Sequence, residues 1–213
     1  MRGPGRLSGK GRYGAAGWFR LAGGFGVGAG RVKRTPVHVT VRVAQRVWNL
    51  RSRRCYRVVT AAFAAARGRF GLRLIEFSVL GNHLHLVVEA DHNQALSRGM
   101  QGFSVRIAKA MNRLMGTRGT VLGDHYHAHM LETPTKLVNA IAYVLGNAAH
   151  HYGTEGRDPF SSAACDRQLL LCVGVSWLLR VGWRRARRKL PIPSVGAEPP
   201  AAAAPRPGGE RAA

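Results

Sequence analysis

Two histidines separated by a single residue are the sharpest chemical feature of this 213-residue sequence. Side chains two positions apart on a β-strand point to the same side, so His83 and His85 would project together while Leu84 enters the core. Two imidazoles at this spacing can bind a divalent metal ion. They can equally be ordinary histidines at the surface of a hairpin, and the spacing alone favours that simpler interpretation.

A second set of alternating histidines follows later in the chain. His125, His127 and His129 would lie on one face of a strand predicted between about His125 and Glu132. A solvated or DNA-facing polar strand face is the favoured interpretation. A structural zinc site is the less favoured alternative.

The last predicted helix of the central region carries a tyrosine and an asparagine four residues apart. At 100° per residue, Tyr143 and Asn147 are neighbours on one side of this helix. Both are predicted to lie outside its apolar stripe, which consists of Leu137, Ile141, Val144, Leu145 and Ala148. A partly exposed tyrosine that packs against a loop explains Tyr143 alone. The joint occurrence of this pair and the histidine pair is much less expected by chance.

Hydrophobic periodicity places these residues on alternating strands and helices. It predicts strands at 37–43, 72–80, 83–89 and about 125–132, and helices at 53–67, 93–115 and 133–151. Gly81-Asn82 is typical of a tight hairpin turn, and Thr133-Pro134 of a helix start. In the second strand, Ile75, Phe77 and Val79 are expected on one face.

The order of these elements predicts the fold class. Strand, helix, strand, strand, helix, strand is the split βαβ pattern of an α+β, ferredoxin-like fold, with one further helix. One face of its four-stranded antiparallel sheet is covered by helices and the other is open. Because the first and third strands are central neighbours, His38 and Thr40 should join His83 and His85 on the open face.

The charge of the chain predicts a polyanionic partner. Its 33 Lys and Arg residues exceed its 10 Asp and Glu residues, for a net charge of +23. Nucleic acid is the first interpretation and acidic lipid the second. No apolar run reaches the ~20 residues of a membrane span, which excludes an integral membrane protein of the helical class. Three separated cysteines argue against a disulfide framework or a thiolate zinc site and fit a reducing compartment.

Composition divides the chain into four parts. Residues 1–34 form a basic, Gly/Arg-rich arm that we expect to be disordered, because it can bury too little apolar surface. Residues 35–153 form the folded domain and residues 154–190 a basic helical extension. Residues 191–213 are a Pro/Ala-rich tail, also expected to be disordered.

Residues from about Pro36 to Gly153 resemble the IS200-like single-tyrosine transposases of the HUH type, in particular the REP-associated group. The resemblance rests on HVT at 38–40, VLGNHLHLVVE at 79–89, LSRGMQG at 96–102, YHA at 126–128 and YVLGNA at 143–148. The block WLLRVGWRR at 177–185 is also similar to the end of these proteins. The hairpin and YxxxN motifs together are highly specific, whereas each alone is weak.

The resemblance implies the roles of the site residues. His83, His85 and Asn147 correspond to the metal ligands, and Tyr143 corresponds to the nucleophile that forms a phosphotyrosine. A divalent ion can polarise a phosphate, and a covalent intermediate conserves the energy of the broken bond. The family uses Mg²⁺ or Mn²⁺; two imidazoles suit Mn²⁺ better.

The implied substrate is single-stranded or hairpin DNA, in a cytoplasmic, nucleoid-associated protein that acts as a monomer or homodimer. Candidate DNA-binding residues are His38, Arg98, Arg106 and Lys136, although a solvated helix face is the favoured interpretation of the two arginines and an equal alternative for Lys136. Two alternatives stay open. One is a ferredoxin-like module that binds single-stranded RNA or DNA without cleaving it, and the other is a domesticated, inactive transposase.

Overall fold

One antiparallel sheet organises the chain. The computed structural model describes residues 34–123, 126–153 and 155–186. Its strands are β1 (Pro36–Arg42), β2 (Leu72–Val79), β3 (His83–Ala90) and β4 (His127–Met130), arranged in space as β2-β3-β1-β4. The predicted α+β fold with central first and third strands is therefore confirmed.

The helices begin and end close to their predicted bounds. They are α1 (Arg53–Ala66), α2 (Asn93–Met115), α3 (Pro134–Tyr152), α4 (Arg167–Leu170) and α5 (Trp177–Arg180). The hydroxyl of Thr133 accepts a hydrogen bond from the Lys136 N–H at the start of α3, with Pro134 in the first turn. This is the N-cap that the Thr-Pro pair predicted.

The main core lies between one face of the sheet and helices α1 and α2. Alternate residues of β1 and β3, such as Val39 and Leu86, point into it and meet Phe63 of α1 and Phe103 of α2. The opposite face, described above as open, carries α3. Leu137, Ile141 and Val144 of α3 pack there against β-strand residues that include Ile75 and Val87.

A β-bulge in β2 makes one of our predictions wrong. Leu74 pairs with Val88 and Glu76 pairs with Val87, so β2 contains one extra residue at this point. A bulge reverses the alternation of side chains beyond it. As a result Ile75 joins the α3 core, whereas Phe77 and Val79 join the main core.

The segment after α3 covers the free edge of β2. Backbone N–H groups of Ser162 and Cys172 donate to carbonyl oxygens of Phe77 and Leu74, at 2.9 and 2.8 Å.

No helix among the described residues is long and apolar enough to cross a membrane. The predicted tail and nearly all of the predicted arm lie outside the described residues, as do His125 and the end of the basic run at 184–189.

Two buried carboxylates attach this C-terminal segment to the sheet. Glu76 is fully buried and receives two hydrogen bonds from Arg167, at 2.8 and 3.1 Å. Glu89 is also fully buried and accepts the backbone N–H groups of Val175 and Ser176, at 2.8 and 2.7 Å. Buried charges persist only when they are paired in this way.

Removal of the Arg167 guanidinium is therefore expected to destabilise the fold. In Arg167→Met the Glu76 carboxylate loses its cationic partner in a buried position, which costs about 3 kcal/mol of the free energy of unfolding. Denaturant unfolding measures the loss. Arg180→Met, at an exposed position of α5, is the matched control and should change the unfolding free energy by less than about 0.5 kcal/mol.

Candidate metal and nucleophile site

The two histidines of the hairpin lie side by side, as their spacing predicted. The ring centroids of His83 and His85 are 4.8 Å apart, with the rings nearly perpendicular. They lie on the α3 side of the sheet because Leu84, between them, is fully buried in the main core. Strand β1 is the neighbour of β3 and pairs Thr40 with His85.

The Nδ1 atom of each imidazole lies within hydrogen-bond distance of neighbouring side chains. His85 Nδ1 lies 3.2 Å from His38 Nε2 and 3.2 Å from Thr40 Oγ1. His83 Nδ1 lies 2.6 Å from the side-chain oxygen of Asn82, which can only accept a hydrogen bond. Both rings are thereby oriented with Nε2 as the free nitrogen. His85 Nε2 is buried and has no hydrogen-bond partner among the described residues.

The imidazoles of the site are held in the neutral form. Burial is the main cause that lowers the pKa of His85 to about 3, and the neighbouring His83, His38 and His151 lower it further. The pKa of His83 is lowered by burial, by Arg42 and by His151. A neutral imidazole keeps the lone pair that a metal ion requires.

Helix α3 brings Tyr143 against the same histidines. The Tyr143 ring centroid lies 5.3 Å from the His85 centroid and 5.8 Å from that of His38, both in edge-to-face arrangements. Tyr143 is 49% exposed, so solvent or a large substrate reaches its hydroxyl side. This juxtaposition joins the two motifs that the sequence analysis singled out.

The prediction that Asn147 lies on the exposed side of α3 is wrong. Asn147 is only 1% exposed, and neither polar atom of its side chain has a hydrogen-bond partner among the described residues. The reason is that α3 covers the histidine face of the sheet, so the side of the helix next to Tyr143 is also buried. Unpaired buried amides are costly and indicate a missing partner.

Spacing along α3 places Asn147 opposite the histidine pair. Tyr143, Asn147 and His151 are four residues apart and share one helix face. Tyr143 contacts His85, and the His151 ring lies 6.3 Å from His83. Asn147 lies between these two contacts.

The orphaned atoms fit a divalent metal ion. His85 Nε2 and Asn147 Oδ1 are buried acceptors without partners, and His83 Nε2 completes a set of two nitrogens and one oxygen. This mixed donor set suits Mn²⁺, or Mg²⁺ that retains several waters. No group of three His, Cys, Asp or Glu side chains in the described ranges could hold a metal ion. The Asn147 amide is therefore needed to complete this one.

The predicted DNA-binding residues are only partly gathered here. His38 lies inside the site. Arg98 and Arg106 belong to α2, which packs on the opposite face of the sheet, and Arg106 donates to the Gly102 carbonyl of its own helix. Lys136 lies in the first turn of α3 and forms an ion pair with Glu132 at 3.1 Å.

Sequence reasoning missed that His151 lies next to His83, although its position eight residues after Tyr143 on the same helix indicated a shared helix face.

His127 and His129 are exposed on β4, and His129 pairs across the sheet with His38. Their exposure is what the favoured interpretation, a solvated or DNA-facing strand face, expects. The third member of the set, His125, lies outside the described residues.

Comparisons with known proteins concern the family and the fold. Residues 31–129 match the family model described as "Transposase IS200 like", a region that contains the histidine hairpin and ends before Tyr143 and Asn147. Tyrosine transposases of this family generally depend on a divalent metal ion. No curated protein matches the chain significantly.

A solved structure of a REP-associated tyrosine transposase bound to a REP hairpin is similar to this chain. The two chains share 16% sequence identity with a TM-score of 0.51, over 62% of this chain and 79% of the other. This likeness shows a common fold. Residues 31–129 are thus similar to the IS200-like transposases, in a chain that folds like a REP-associated tyrosine transposase.

Proposed function

We propose that the protein is a metal-dependent endonuclease and strand transferase that acts on single-stranded DNA next to a hairpin, through a 5′-phosphotyrosine intermediate. The observation that carries the proposal is the contact of Tyr143 with the His85 ring, whose Nε2, like the Asn147 amide, lacks a partner among the described residues. The hairpin bound by the structurally similar transposase supports the choice of substrate.

His83, His85 and Asn147 are the residues that would hold the metal ion. When bound, the ion would polarise the scissile phosphate and neutralise charge on its non-bridging oxygens. His38 and Thr40 fix the orientation of His85, and Asn82 fixes that of His83. The protein thus presents both Nε2 atoms towards the α3 face that carries Tyr143.

Tyr143 performs the bond exchange. Its Oη attacks the phosphorus, a new bond forms between Oη and phosphorus, and the bond from phosphorus to the 3′ oxygen breaks. The phenolic proton leaves to solvent, to which Tyr143 is open, and the 3′ oxygen takes up a proton. Attack by a 3′ hydroxyl of a second strand reverses these steps and releases Tyr143.

Phosphate contacts outside the site would add affinity without sequence preference. We assign this role to Arg98 and Arg106 on α2, to Lys136, and to the basic residues of 1–34 and 184–189. With DNA as the substrate, we expect the protein to act in the cytoplasm, in association with the nucleoid. Such a surface binds DNA or RNA alike, so the preference for DNA rests on the family.

The decisive experiment is the incubation of end-labelled hairpin oligonucleotides with the full chain and Mn²⁺. The proposal expects a covalent protein–DNA adduct that survives denaturing electrophoresis and disappears with a chelator. Hairpin binding without any adduct would identify a binding module or an inactive relative instead. The sheet face offers histidines rather than the stacking aromatics typical of such modules, which favours the enzyme.

His38 is expected to act on the metal ion through His85. In His38→Ala the Nδ1 atom of His85 loses one of its two partners, so the ring is less well oriented and Mn²⁺ affinity falls roughly 10- to 100-fold. Isothermal titration with Mn²⁺ in the absence of DNA measures this. His127→Ala, at an exposed β4 position, is the control. Equal affinity in His38→Ala and wild type would limit His38 to a DNA contact.

A further inference from the structure

The C-terminal end of α3 is bound to the turn of the histidine hairpin. The backbone N–H of Gly81 donates a hydrogen bond to Tyr152 Oη, at 2.9 Å. Tyr152 is the last residue of α3, and Gly81 stands two residues before His83. One hydrogen bond therefore joins the element that carries Tyr143 and Asn147 to the element that carries the imidazoles.

A buried ion pair lies against the Tyr152 ring. The Arg51 guanidinium lies over the Tyr152 ring at 4.6 Å from its centroid, within reach of a cation–π interaction. Both terminal nitrogens of Arg51 donate to Asp158 at 2.9 Å, and one also donates to the Val79 carbonyl at 3.1 Å. The Arg51 and Asp158 side chains are only 13% and 3% exposed. The Tyr152 ring thus rests on a fixed support.

This assembly, which we call the Tyr152 latch, consists of Tyr152, Gly81, Arg51 and Asp158. It lies at one end of the candidate site, whereas the apolar contacts of Leu137, Ile141 and Val144 with the sheet lie towards the other end. At 1.5 Å per residue, Tyr152 is about 13.5 Å along the helix from Tyr143 and about 7.5 Å from Asn147. The site residues of α3 therefore lie between two anchors.

We propose that Tyr152 is a positioning residue, whose latch fixes the distance between Asn147 and Tyr143 on α3 and the imidazoles of His83 and His85. Without the latch, the C-terminal end of α3 can tilt away from the hairpin. This tilt would first displace the Asn147 amide. A displacement of about 1 Å at a reacting centre can lower a rate by about 100-fold, so even a small tilt is measurable. The inference rests on the proposed function of the site.

Tyr152→Phe tests the latch because it removes only the hydroxyl and keeps the ring under Arg51. We expect faster hydrogen exchange at the Gly81 amide, measured by NMR. We also expect a roughly three- to tenfold loss in Mn²⁺ affinity and in the single-turnover rate of adduct formation, since one hydrogen bond is lost. Hairpin affinity without metal should stay unchanged. If Tyr152 had only a structural role, Tyr152→Phe would lower thermal stability but leave the Mn²⁺ affinity and the rate of adduct formation unchanged.

Tyr56→Phe is the matched control. Tyr56 packs on Phe160 in the same neighbourhood, where Arg51 also lies over the Phe160 ring, but its hydroxyl makes no hydrogen bond with the described residues. An unchanged Gly81 exchange rate in Tyr152→Phe, wild-type Mn²⁺ affinity and rate, or an equal loss in Tyr56→Phe would each overturn the inference. A wild type that binds Mn²⁺ but forms no adduct overturns the proposed function alone. In that case the Mn²⁺ affinity of Tyr152→Phe, compared with that of wild type, still tests whether the latch positions the site.

Discussion

Replacement of Tyr143 by phenylalanine is expected to abolish the covalent protein–DNA adduct while hairpin binding persists. Phenylalanine keeps the ring that packs on His85 and His38 but lacks the oxygen that would bond to phosphorus. Because no other atom of the side chain can replace this nucleophile, we expect adduct formation to fall by at least about 1,000-fold. Denaturing electrophoresis of the labelled oligonucleotide after incubation with Mn²⁺ measures this loss.

The control for Tyr143→Phe is the same substitution at Tyr56, which lies on α1 and faces the C-terminal segment. Tyr56→Phe should form the adduct at the wild-type rate. Hairpin affinity, measured by fluorescence anisotropy without metal, should agree within about twofold among the three proteins, since binding comes chiefly from phosphate contacts. A persistent adduct in Tyr143→Phe would place the nucleophile on another residue, which mass spectrometry of the labelled peptide would identify.

The elements of the fold were predictable because their signals are local. The alternating valines of β1, the Gly81-Asn82 turn and the Thr133-Pro134 helix start each specify a structure within a few residues. The bulge at Ile75 was not predictable, since it depends on how β2 pairs with β3. The packing of α3 on the histidine face was missed for a related reason. It depends on apolar residues of two distant segments, Ile75 and Leu179, that meet only in the folded chain.

The types of the site residues could be read from the sequence more easily than their environments. Spacing alone placed His83 beside His85. The proximity of His38 to His85 followed from the predicted strand order, whereas the burial of Asn147 required knowledge of which helix lies above the sheet. The Tyr152 latch was likewise hidden, because its four members come from four separate parts of the chain.

His85→Ala is expected to remove metal binding and cleavage together. His85 supplies the buried Nε2 that has no other partner, and the ion would lose one of its three protein ligands. Mn²⁺ affinity and the rate of adduct formation should each fall by at least about 100-fold, more than for the loss of an outer partner such as His38. Calorimetric titration and single-turnover cleavage measure the two effects.

His150→Ala is the control for His85→Ala, because His150 is an exposed histidine of α3. It should bind Mn²⁺ and cleave like wild type, and both variants should bind the hairpin normally without metal. Removal of an unpaired buried nitrogen also removes its desolvation penalty, so the metal-free fold of His85→Ala should stay within about 1 kcal/mol of wild type. Full cleavage by His85→Ala would exclude the imidazole pair as the metal site and leave Tyr143 to act on a phosphate activated in another way.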